Sequence, residues 1–174
     1  MTTNQYLQNI IDTSALFQNE KNFWCNRLGD DSTLGALPPD YGRSFQAENA
    51  NEILQDFLPE ATGQKLLYIG NNSRQGVFII LLAGLVRLFS AYQNSWDLTI
   101  GIPLFKVTSQ RKSINNGLLP IRIRLNPGQS FKDLILAVKQ AVIEADAHKN
   151  YPFDKLAELL NLEVGGGGRY LSGA

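Results

Sequence analysis

Asp97-Leu98-Thr99-Ile100-Gly101-Ile102-Pro103-Leu104 alternates strictly, with an apolar side chain at every even number. Successive side chains of an extended chain point to opposite faces, so this period of two predicts a strand with one face in the core. Fifteen residues further on the pattern returns over Leu119–Leu125. Ile121, Ile123 and Leu125 share one face there and Arg122 and Arg124 the other. Working outward, Asn126-Pro127-Gly128 reads as a turn, and Ser130 with Asp133 reads as a helix N-cap box. Phe131, Leu134, Ile135, Val138, Val142 and Ala145 follow at helical spacing, predicting an amphipathic helix to about His148. On the other side of the first strand lies the longest apolar run, Val77–Val86, ended by Arg87. Apolar on nearly every side, Val77–Tyr92 predicts a fully buried helix. The run is about half of what a membrane span needs, so a core helix is expected and not an anchor.

The rest is less regular. Phe17, Trp24 and Leu28 lie close to helical spacing, which predicts a helix from about Tyr6 that ends at Gly29. Leu37-Pro38-Pro39-Asp40 cannot be helical, so Asp30–Arg43 is a connector. Asn51–Leu58 reads as a strand with poor alternation, and Glu60–Ile69 as a helix broken by Gly70-Asn71-Asn72-Ser73. Lys106–Asn116 is a polar, basic loop. Pro152–Leu162 predicts a short helix with Phe153, Leu156, Leu159 and Leu160 inward, and Gly165–Ala174 a glycine-rich tail. The domain is therefore expected over 1–164, with 165–174 as tail or linker. Helix, strand, strand, helix around a long apolar helix indicates an α/β (α+β) layer domain, a mixed sheet with packed helices.

Composition narrows the function classes. The 174 residues are 44% apolar and 18% charged, and 16 basic side chains balance 16 acidic ones. A nucleic-acid binder normally carries a basic excess, so no nucleic-acid partner is expected. Low charge and high apolar content fit a surface that another surface covers. A single cysteine, Cys25, permits no internal disulfide, and with one histidine it leaves no zinc site; a cytoplasmic setting fits best. No basic residue precedes an apolar stretch in Met1–Gln8, so no secretory signal is read there.

Chemistry-bearing residues are few. His148 stands at a helix C-terminus with no serine or cysteine motif to pair with, so it is expected to cap carbonyls or pack on Tyr151. Cys25 is expected to be a structural thiol. Asp30/Asp31 and Glu144/Asp146 read as solvated acids. Gly165–Gly168 lacks the Lys-Ser/Thr of a phosphate loop. Arg122 and Arg124 are expected to ion-pair across the sheet face, with anion binding as the sharper alternative. Lys106, Arg111 and Lys112 are too few for nucleic acid.

Several segments taken together resemble the condensation domains of nonribosomal peptide synthetases, in their C-terminal lobe. Phe23-Trp24-Cys25-Asn26-Arg27-Leu28 with Leu37-Pro38-Pro39-Asp40 and Arg43 resembles the family's aromatic–Trp helix and Leu-Pro-x-Asp connector. Leu81-Leu82-Ala83 through Leu88 and Tyr92, then Asp97 and Gly101-Ile102-Pro103, is similar to the long helix and the strand that closes on Gly-x-Pro. Leu119-Pro120-Ile121-Arg122 resembles the end of the Asn-Thr…Leu-Pro-Leu-Arg motif. His148-Lys149-Asn150-Tyr151-Pro152-Phe153-Asp154 resembles His-Gln-Asp-Tyr-Pro-Phe-Glu, and Arg169-Tyr170-Leu171-Ser172 a worn start of the last motif. The likeness runs from about Phe17 to Leu162.

The resemblance implies one lobe of the chloramphenicol-acetyltransferase-like fold, whose catalytic His-His-x-x-x-Asp-Gly motif comes from the other lobe. No such motif occurs in this sequence, and Asn116-Gly117-Leu118 stands where the family has its aromatic pair with Asn-Thr. The positions carried over, Trp24, Pro38, Asp40, Asp97, Gly101, Pro103, Leu119, Pro120, Arg122, His148, Tyr151, Pro152, Phe153 and Asp154, are thus expected to be structural or interface residues, with no catalytic residue and no metal. The resemblance implies an adenylation domain and a carrier protein as partners, the carrier bearing phosphopantetheine, with no cofactor bound by the chain itself. Met1 and the glycine-rich end fit an N-terminal module running into a linker, and equally an artificial boundary. Three functions follow as expectations. The first is a non-catalytic platform in antibiotic biosynthesis. The second is half of a split condensation enzyme completed by an N-terminal lobe. The third, disfavoured because no Asp-Gly follows the histidine, is a small acyltransferase using His148.

Overall fold

Helix and strand follow the apolar periodicities closely in the computed structural model, which describes residues 15–29, 53, 55–103, 118–152 and 156. Four helices and two strands are found among them, in the order α1 (Ala15–Leu28), α2 (Glu60–Ile69), α3 (Arg74–Gln93), β1 (Asp97–Pro103), β2 (Leu118–Arg124) and α4 (Phe131–Ala147).

Each boundary has a local cause. Gly29 closes α1 by donating its N–H to the Cys25 carbonyl, 2.7 Å away. Between α2 and α3 the chain turns through Asn71 and Asn72, both with positive φ, and the Ser73 hydroxyl accepts from the Gly76 N–H to start α3. A Cβ at Gly76 would collide with the Gly70 carbonyl, so that corner needs a glycine. Asn94, in the left-handed region at φ 48°, ends α3. The turn Asn126–Gln129 is closed by a 3.1 Å bond, and Gly128, at φ 81°, supplies the conformation other residues resist. Ser130 and Asp133 form a reciprocal capping box on α4.

β1 and β2 pair antiparallel, with Leu98 opposite Ile123, Ile100 opposite Ile121 and Ile102 opposite Leu119. Opposed residues share a face, so these six side chains make one apolar surface. The core forms where it meets Ile79, Leu82, Ala83 and Val86 of α3 and Leu134, Val138, Ala141, Val142 and Ala145 of α4, with Trp24 of α1 also fully buried. Leu156, helical and buried, donates its N–H to the Pro152 carbonyl at 3.3 Å, in line with a helix starting there. The remainder of that predicted helix lies outside the described residues, as do the connector Asp30–Arg43, the loop Lys106–Asn116 and the tail Gly165–Ala174.

Two expectations change. Residues 55–59 and Ile53 form no strand; Ile53 and Phe57 are open to solvent, and a strand needs a neighbouring strand for its main-chain groups. Val77–Tyr92 is helical but not buried all round. Ile79, Leu82, Ala83, Val86 and Ser90 face inward, whereas Leu81 (47% exposed), Leu85 (45%), Leu88 (48%) and Tyr92 (67%) form an apolar row on the opposite side. By length and composition α3 could cross a membrane, yet its inward side is part of the core. The hydrophobicity that reads as burial is thus used once inward and left open outward.

Candidate functional site

The motif positions gather at two places. One joins α1 to the end of α4. His148 is the C-cap of α4, its N–H shared between the Glu144 and Ala145 carbonyls. Its own carbonyl accepts the Trp24 indole N–H at 2.9 Å. Its imidazole Nδ1 lies 2.7 Å from Oε2 of the buried Glu20, and its ring stacks on Phe23 with centroids 3.8 Å apart. The main-chain N–H of His148 thus closes the end of α4, and its ring packs on Phe23. One ring nitrogen and one ring face are engaged, which makes the imidazole a staple between two helices. Tyr151 and Pro152 are buried just beyond it.

The second place is the face of the sheet away from α3 and α4. Arg122, only 5% exposed, reaches diagonally to Asp97: Nε donates to Oδ1 at 2.8 Å and Nη2 to Oδ2 at 2.6 Å. This bidentate geometry matches the planar guanidinium to the carboxylate. Arg124 adds a 3.2 Å bond from its exposed end. Arg122 Nη1 donates to the Arg27 carbonyl and Arg27 Nη2 to the Arg122 carbonyl, so α1 and β2 are cross-tied. The hydrogen bond from Arg122 above all, with Arg124 and both positive charges, holds the Asp97 carboxyl below its usual range against the opposing effect of burial. Ion pairing across the sheet is what these arginines do, and because Arg122 is buried, its charge depends on Asp97 for compensation.

Other candidates are accounted for singly. Cys25 is partly buried and packs against the core. Glu144 meets Arg27 at 3.5 Å, and Asp146 meets Lys149 at 2.9 Å. Gly101 and Pro103 lie on β1 with Leu119 and Pro120 opposite or diagonal on β2, Leu119 and Pro120 buried. Pro38, Asp40, Phe153 and Asp154, with Asp30/Asp31, lie outside the described residues. Among the described residues no three His, Cys, Asp or Glu side chains converge as metal ligands. Glu20 and Arg27 are site residues that the sequence reading missed. One signal existed: Glu20 lies four residues before Trp24, hence on the same face of α1, an acid placed on the buried side.

A condensation-domain family profile matches residues 4–167. Gramicidin S synthase 2 of Brevibacillus brevis is 26% identical over 165 residues, which is 86% of this chain and 4% of that protein. N-(5-amino-5-carboxypentanoyl)-L-cysteinyl-D-valine synthase of Amycolatopsis lactamdurans is 26% identical over 147 residues, 81% of this chain and 4% of that protein. Among solved structures, the first condensation domain of the calcium-dependent antibiotic synthetase superposes on 92% of this chain and 35% of its own, with a TM-score of 0.63 at 19% identity. The X-domain from teicoplanin biosynthesis gives 0.64 at 21% identity, over 92% and 36%. The chain thus spans a few per cent of these curated relatives and about a third of these solved domains.

Proposed function

The chain belongs to the condensation-domain family, and from that premise we propose that it is a C-terminal lobe working in nonribosomal peptide synthesis as a non-catalytic platform for an adenylation domain. The observation that carries this reading is the outward row of α3, Leu81, Leu85, Leu88 and Tyr92, an apolar stripe diametrically opposite the stripe that fills the core. Their spacing of four, three and four residues is the seam by which one helix packs along another. Zero net charge removes any long-range repulsion from a partner. The only histidine in the sequence is committed to Glu20 and Phe23, which supports a structural role for this motif. In this reading the chain works in the cytoplasm and binds no cofactor itself; phosphopantetheine belongs to a partner carrier protein.

Titration calorimetry of the chain with the adenylation domain of the same synthetase tests it. Micromolar or tighter binding with the negative heat-capacity change of apolar burial is expected. A folded, soluble chain that does not bind would overturn the platform reading. It would leave the second reading, the acceptor-side half of a condensation enzyme whose base is a histidine of a separate N-terminal lobe. One observation favours that second reading: β1 has an outer edge that no described residue pairs with.

A further inference from the structure

We draw no further inference here: the strongest candidate, the apolar outer face of α3 bordered by the exposed Arg74 and Arg87, belongs to the docking site already proposed, and nothing in the structure shows what covers it.

Discussion

Helices α3 and α4 lie side by side over the same sheet, yet the outer side of α3 is a continuous apolar row and that of α4 is mixed. In α4 the apolar stripe of Leu134, Val138, Ala141, Val142 and Ala145 is buried, and its solvent side mixes Lys132, Asp133, Lys139 and Gln140 with the exposed Phe131, Leu136 and Ile143. In α3 an equally complete inner stripe is matched by an outer row of leucines and a tyrosine. A helix with one apolar face completes a two-layer domain, whereas a helix with two calls for a further layer. Among the described residues α3 packs on β1 and α4 on β2, and the outer edge of β1 has no strand beside it.

Stability measurements sharpen this contrast. Leu134→Ala, on the buried stripe of α4, is expected to cost about 3 kcal/mol in denaturant unfolding, through lost burial and the cavity left behind. A cost near zero would mean that α4 is not seated as described.

Asp97→Asn removes the charge that ties β1, under α3, to β2, under α4, and leaves the buried Arg122 guanidinium with one neutral amide oxygen in place of two carboxylate oxygens, beside the Arg27 carbonyl. A loss of about 2 kcal/mol is expected, less than for a fully buried pair because Asp97 is partly open to water. The same pair sets an acid dependence. Because the folded carboxyl is held below its ordinary value of 3.8, the unfolded chain takes up the proton more readily. This contribution is therefore complete above pH 3.8 and is lost as pH falls through the lower folded value. The acid limb of an unfolding profile should flatten in Asp97→Asn; an unchanged limb would remove the pair from the account.

Ser130→Ala, which opens the capping box of α4, is expected to cost about 1 kcal/mol by thermal or chemical unfolding. Leu85→Lys on the outer row of α3 should change stability by no more than about 0.5 kcal/mol, because the chain alone leaves that side open. A large loss there would show that the row is packed and would erase the contrast between the helices.

Much of this was legible in the residues, and what was not has a common cause. Period-two alternation placed both strands within a residue or two, and Ser130, Asp133, Gly70 and Gly29 marked helix ends because capping and turn chemistry are local. The outer row of α3 was misread because an apolar residue looks the same in sequence whether its neighbour belongs to this chain or to another. The strand expected over Asn51–Leu58 despite poor alternation is absent from its described residues, because a strand exists only beside another. The partners of His148 and Arg122 depend on contacts 128 and 95 residues apart, Glu20 and Arg27, which no local pattern reports.

The central claim is that α3 carries a docking surface on the side facing away from the core. It is met most directly by repeating the calorimetric titration with the adenylation domain of the same synthetase, using the double variant Leu85→Lys, Leu88→Lys beside the unmodified chain. The account predicts that the variant unfolds at nearly the same denaturant concentration and binds at least about a hundredfold more weakly, as expected when two central apolar anchors are replaced by charges. Undiminished binding by the folded variant would contradict it.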